Sequence, residues 1–473
     1  MSGISCRGAV CGLLSALVVT PASAVTQTQH LDGERLGIFW VLPFVGMLLS
    51  IAILPLATPC LWHRHQGKIA ALWALAFLVP ATMCFGLQLA AFELLHTAAL
   101  EYLPFLILIT ALFSVTGHIH IRGNLHGSPL LNTGVLAIGT LLASVMGTTG
   151  AAMLLIRPLI RANDNRRHNM HVVIFFIFLV ANIGGALTPL GDPPLFLGFL
   201  QGVTFFWTTI HLIAPTAVAA IILLAAFFCI DLYFYRREGC IRPDPTPDSG
   251  VTIQGAGNLM LLVAILVVVV ASGSIKLGTV PLFSVALELQ NILRDVLLVA
   301  IAILSFKLTS NGTREANEFS FGPVIEVAKL FAGIFVTIVP AIAILRAGRA
   351  GSLAVVIDLI TSPSGQPIDS MYFWLTGGLS SFLDNAPTYL VFFHAAGADA
   401  QRLMGPLGST LTAISAGAVY MGAITYIGNA PNFMIKSIAQ SRGVNMPGFF
   451  GYILWSGCVL IPVFALLTWL FFV

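Results

Sequence analysis

The stretch Asn182-Ile-Gly-Gly-Ala-Leu-Thr188-Pro-Leu-Gly191-Asp192-Pro-Pro194 lies in the middle of an apolar run from 170 to 207. Such a run can cross a bilayer, which takes about 20 apolar residues in helix. Its centre cannot be a straight helix. Two adjacent glycines and three prolines remove helix propensity and backbone donors over a dozen residues. The sequence therefore predicts a span broken at membrane depth. A second break, Ile427-Gly428-Asn429-Ala-Pro431-Asn432, interrupts the run 406–435. Irregular backbone inside a bilayer is tolerated only within protein or against a water-filled cavity. Two broken spans thus predict an interior polar site.

Composition agrees. The chain has 473 residues, 58% hydrophobic and 9% charged, with a formal net charge of +3. Soluble domains are roughly 45–50% apolar and about 25% charged. This excludes a water-soluble enzyme, a disordered chain and a binder of nucleic acid built on basic patches; the bilayer is the expected partner. Further spans are predicted at 37–58, 69–90, 99–117, 210–233, 256–272, 291–306, 324–345 and 449–473. The opening has the layout of a secretory signal, with Arg7, an apolar Gly8–Val19 and then Ala22-Ser23-Ala24. Residues 1–24 read as a signal peptide or a first span. The seven cysteines are scattered, without a C-x-x-C, and read as small core residues.

With residues 27–36 outside, fourteen Lys and Arg residues fall on the inner face and six on the outer. That obeys the positive-inside rule. The same rule decides two awkward apolar stretches. Arg122 and the Arg157–Arg167 cluster belong inside, so 129–156 enters and leaves on one face, turning at Gly147-Thr148-Thr149-Gly150. The stretch 371–396 does the same from outside, turning at Asp384-Asn385-Ala386-Pro387. Each hairpin is followed by a broken span. Thr148 to Thr188 is 40 residues and Asn385 to Asn429 is 44. The fold expected is an all-α polytopic membrane protein, an inverted-topology repeat with two re-entrant hairpins and two broken spans, the design that generates alternating access. The first repeat is taken as 25–235, a Pro-rich cytoplasmic linker as 236–255, and the second repeat as 256–473.

The four breaks should meet near the midplane. The candidate ion- or substrate-binding residues are Thr148, Thr149, Asn182, Gly184, Thr188, Asp192, Asp384, Asn385, Thr388, Asn429 and Asn432. Each is also a residue type that caps helices or makes turns. Carboxylates decide the chemistry, because an ionised group at mid-membrane costs at least about 2.5–3.5 kcal/mol. Asp384, isolated in its apolar run, is the expected proton-coupling group. Asp192 either ligates a cation or caps the helix opening at Pro193. Glu326 and Lys329, three apart, form an ion pair or compensate charge beside the site. His118, His120 and His126 share an inner loop and read as solvated. No resident metal or cofactor is expected, only Na+ or H+ as coupling ions.

These motifs, Asn182-Ile-Gly-Gly through Pro194-Leu-Phe-Leu-Gly-Phe-Leu and Leu383-Asp-Asn-Ala-Pro-Thr388, resemble the ion transporter superfamily. It includes sodium/proton antiporters, arsenite pumps, citrate transporters and sodium/dicarboxylate symporters. The likeness covers about 35–473 and is strongest to the branch of citrate transporters and sodium/proton antiporters. It implies scaffold and transport regions in each half, Na+ held at the hairpin tips and unwound spans, and a homodimer. In the dicarboxylate symporters each tip reads Ser-Asn-Thr; here the tips read Gly147-Thr-Thr and Asp384-Asn-Ala. The expected function is sodium/proton antiport in a bacterial inner membrane. The alternative is transport of citrate or another organic anion coupled to Na+ or H+. A channel and a membrane-embedded enzyme rank below both; no H-E-x-x-H, G-x-S-x-G or Walker A motif occurs.

Overall fold

The structure, a computed structural model, describes residues 30–123, 125–238, 250, 252–282, 285–317 and 319–473. The expected signal segment, Cys6, Cys11, Cys240 and most of the linker lie outside the described residues. The first half runs through α1 (Ile38–Ala57), α2 (Pro59–Phe85) and α3 (Leu87–Gly117). A hairpin of α4 (Pro129–Met146) and α5 (Thr148–Ala162) follows. Next come α6 (Met170–Leu187), α7 (Pro193–Leu200) and α8 (Phe205–Glu238). The second half repeats this order. It has α9 (Gly257–Ser274), α10 (Leu289–Leu308), and α11 (Gly322–Thr337) bent by 41° into α12 (Val339–Arg346). Its hairpin is α13 (Asp369–Ser380) and α14 (Asn385–Ala395). It ends with α15 (Gly408–Ile424), α16 (Ala430–Ser441) and α17 (Phe449–Phe471).

Among the described residues nine helices are long and apolar enough to cross a membrane, α4 among them, and the bent pair α11–α12 makes a tenth. Helix α4 nevertheless turns back. The Gly127 amide donates to the Ala162 carbonyl at 2.6 Å, so the two roots of the hairpin touch. Arg161 donates to the carbonyl of Ile121 at 3.0 Å, placing that root beside Arg122. A short ribbon pairs His120–Arg122 with Thr252–Gln254, bringing the end of the linker to the same face. Crossings are then completed by the two interrupted spans, α6 with α7 and α15 with α16.

Three boundaries differ from expectation. Residues 59–68 are not a loop: Pro59 opens α2, since proline suits a helix's first position, and a single residue, Thr58, joins α1 to α2. The first hairpin turns on Gly147 alone, at φ +80°, and Thr148 to Gly150 are already helical. The equivalence of the halves also differs from the spacing read above. Thr188 donates to the Ser144 carbonyl and Thr425 to that of Ser381, both across 44 residues. Ser144 donates to Gly184 O and Ser381 to Met421 O, both across 40. Ser144 thus corresponds to Ser381, Thr188 to Thr425 rather than Asn429, and Asp192 to Asn429.

Packing separates lipid-facing from interior helices. Residues 172–181 of α6 are at most 2% exposed. By contrast, α2 and α9 present Leu72, Leu75, Val263 and Val267 to the surroundings. Apolar surface of this extent is stable only against lipid or another apolar surface.

Candidate functional site

Where α6 and α15 stop, both hairpin tips arrive. The glycines of the breaks allow this approach. A Cβ on Gly191 would lie 2.1 Å from the Gly185 carbonyl, and one on Gly185 would lie 2.6 Å from the Thr148 methyl. The Thr148 amide donates to Gly191 O at 2.8 Å, fixing the first tip against the first unwound segment. Four helices, α5, α7, α14 and α16, begin at this point.

Asp192 is the centre of the cluster and is 1% exposed. Its Oδ1 accepts from Thr148 Oγ1 at 3.1 Å and from Asn429 Nδ2 at 3.3 Å. Its Oδ2 accepts from Asn385 Nδ2. Both hairpin tips and the second break therefore converge on one carboxylate. The network continues outward. Asn429 Nδ2 also reaches the Ala181 carbonyl at 3.1 Å and Asn182 Oδ1 at 3.3 Å. Asn182 donates to Asn432 Oδ1 at 2.8 Å, and Asn432 donates to the Gly422 and Thr425 carbonyls. One atom is unsatisfied: Asn385 Oδ1 is buried and has no donor. An orphaned buried acceptor costs roughly 1–3 kcal/mol. Among the described residues no Lys or Arg bonds to any member of this cluster.

The two aspartates are held differently. Asp384 caps α14, its Oδ1 accepting from the Ala386 amide at 3.1 Å, and it is half-buried. Asp192 precedes α7 but makes no capping bond to it. The reason lies in the turns. The side chain of Asp384 folds back onto the first amides of its own helix, whereas that of Asp192, on extended backbone, faces donors from three other segments.

The other candidates divide. Thr148, Asn182, Asp192, Asn385, Asn429 and Asn432 form the cluster. Gly184 and Thr188 lie one layer away and make the Ser144 bonds. Thr388 bonds only to the Asp384 carbonyl, within its own helix, at 3.1 Å. Thr149 is half-buried at the start of α5. Glu326 and Lys329 form no ion pair with each other among the described residues; Lys329 runs along Gly67 of α2, away from the cluster. His118 is not solvated, being fully buried with Nδ1 2.8 Å from Ser305 Oγ, and His120 Nδ1 is 2.6 Å from Asn317 Oδ1.

Sequence reading missed Ser144, Ser381 and Thr425. The signal was present as Gly185-Ala-Leu-Thr188-Pro-Leu-Gly-Asp192-Pro-Pro194 against Gly422-Ala-Ile-Thr425-Tyr-Ile-Gly-Asn429-Ala-Pro431. Aligned on the shared Thr-x-(Leu/Ile)-Gly, these place the hydroxyls in register.

A repeated all-α membrane fold, with hairpin tips and broken spans meeting at a buried carboxylate, has the architecture of a membrane transporter. Residues 33–472 match the family described as "putative citrate transport", and the chain belongs to it. Two proteins named as uncharacterized transporters, one from Mycobacterium bovis and one from Mycobacterium tuberculosis, are each 24% identical over 404 residues. The match covers 83% of this chain and 84% of each relative. The protein is a multi-pass transporter of a bacterial plasma membrane.

Proposed function

We propose that the chain is a cation-coupled secondary transporter, exchanging Na+ for H+, with Asp192 as the group that binds the two in turn. The observation carrying this reading is Asp192 itself, a buried carboxylate held by amide and hydroxyl donors. A charge so placed calls for a proton or a bound cation. The unsatisfied Asn385 Oδ1 beside it supplies a second oxygen ligand, and the carbonyls freed where α6 and α15 end supply more. Na+ and H+ competing for one carboxylate suffice for exchange. Asp384, at the tip of the second hairpin, ranks second for this role because its carboxylate is engaged as a cap.

A second reading, Na+- or H+-coupled transport of citrate or a related anion, is favoured by the family description and by the four helix N-termini at the cluster, whose positive ends suit an anion. Purified protein in proteoliposomes tests both. Under an imposed pH gradient, 22Na+ uptake that disappears in Asp192→Asn supports exchange. Citrate uptake, with Na+ movement only in its presence, replaces exchange with anion transport. Undiminished Na+ uptake in Asp192→Asn overturns the role of Asp192.

A further inference from the structure

Helix α3 carries a π-helical turn at Ala98–Tyr102, which includes Glu101. Such turns are rare and frequent at functional sites, because the extra residue redirects a side chain. Glu101 lines a cleft of about 280 Å³, with His30, Glu93, His96 and Arg346, on the side read as outer from the Lys and Arg distribution. Glu93 is already engaged, accepting from His30 Nδ1 at 3.2 Å and from the Leu31 amide at 2.9 Å. Glu101 Oε1 accepts from Gln201 Nε2 at 3.0 Å, its one hydrogen-bond donor among the described residues.

Gln201 is the C-terminal cap of α7, an eight-residue helix whose N-terminal flank is Asp192. The carboxylate in the cleft and the one in the central cluster therefore lie at opposite ends of a short rod about 12 Å long. A parallel tie exists on the second half. Arg346 Nε of α12 donates to His394 Nδ1 at 3.2 Å, and His394 is in the last turn of α14, which starts at Asn385. Two of the four helices that begin at the cluster, α7 and α14, are thus tied at their far ends to groups that line this cleft.

Resting on the reading of Asp192 given above, we propose that Glu101 is a positioning residue of the transport cycle: it takes a proton from the outer solution, and its protonation releases α7 from α3. The step balances simply. The ionised carboxylate gains an O–H bond with a proton from outer water, loses its charge, and returns the proton when it ionises again. An ionised acceptor makes a hydrogen bond about twice as strong as a neutral one, so protonation weakens the mooring to Gln201. The charged and titratable groups that line the cleft with Glu101 are Glu93 and His96 of its own helix, His30, Asp32 and Glu34 of the N-terminal segment, and Arg346 of α12.

The test varies outer pH at fixed inner pH in proteoliposomes. Wild type should change its rate roughly fivefold as Glu101 titrates, the effect of weakening one charge-assisted bond. Glu101→Gln and Gln201→Leu should both flatten that profile while retaining transport, and Glu101→Asp should restore it. A wild-type profile in Glu101→Gln overturns the proposal. If Glu101→Gln does not insert, Gln201→Leu alone decides. A substrate-free readout uses spin labels at Leu87, the first residue of α3, and Thr204, just beyond α7. Their separation should shift on acidification in wild type and not in Glu101→Gln. Labels that respond without any Na+/H+ exchange sink the Asp192 reading alone. Exchange without a label response sinks the Glu101 proposal alone.

Discussion

The two halves share a frame and differ in charge. Each places a serine at the end of the first hairpin arm, a threonine in the unwound segment and the same pair of bonds between them. Yet the first half carries its carboxylate in the unwound span, at Asp192, where the second has Asn429. The second carries its carboxylate at the hairpin tip, at Asp384, where the first has Gly147. Backbone geometry was duplicated and ionisable chemistry was not. If Asp192 is the coupling group proposed above, a repeated frame would present one carboxylate to both sides of the membrane.

The sharpest way to break this contrast is to move the charge. Asp192→Asn should abolish coupled uptake in proteoliposomes, and Asp192→Asn combined with Asn429→Asp should recover part of it, the carboxylate having moved to the equivalent position. Asn429→Asp alone places two carboxylates within one buried cluster, and like-charge contact costs several kcal/mol. Its yield of folded protein by size-exclusion chromatography should fall. No recovery in the double variant would show that the halves are not interchangeable at the site.

A smaller effect tests the shared frame. Ser144→Ala and Ser381→Ala each remove a hydroxyl bonded to a buried carbonyl, at a cost of about 1–2 kcal/mol. Thermal unfolding in detergent should show similar losses for both, and a loss in one half only would contradict the repeat. Smaller still is the effect at the second tip. Asn caps about as well as Asp, so Asp384→Asn should leave both stability and exchange close to wild type. Asp384→Ala should cost about 1 kcal/mol. Exchange abolished by Asp384→Asn yet intact in Asp192→Asn would reverse the assignment of the two aspartates.

The least effect concerns the N-terminal segment, tied by His30 to Glu93. Its hydrogen bond to Glu93 raises the pKa of His30 above the ordinary imidazole value, against an opposing contribution from burial. The tie therefore contributes fully below the unfolded histidine pKa and is lost as pH rises through the folded one. Hydrogen exchange at the Leu31 amide should accelerate over that window in wild type, and be fast and nearly free of this transition in His30→Ala.

The hairpins and breaks were legible because glycine and proline inside apolar runs leave few alternatives, and because Arg122 and Arg166 fix one face. The identity of the central carboxylate was not. Periodicity predicts side-chain direction in a helix, but Asp192 lies in extended backbone whose orientation is set by three distant segments. Asp384 looked exceptional for its isolation along the chain, a property that says nothing about the free amides of α14 beside it. His118 was misread for a similar reason: its loop is short of apolar residues, but Ser305 and the ring of Phe319 arrive from the other half to bury it.

The matched bonds across 44 and 40 residues carry one more consequence. Each closes a ring of chain through two helices, from a hydroxyl to a carbonyl, with the same number of residues in both halves. One residue inserted within such a helix turns everything beyond it by about 100°, which would swing Thr188 away from Ser144 or Thr425 away from Ser381. The helices within 144–192 and 381–429 should therefore tolerate substitutions at lipid-facing positions while rejecting single-residue insertions and deletions. Length changes should be accommodated between Ser274 and Leu289, outside both rings.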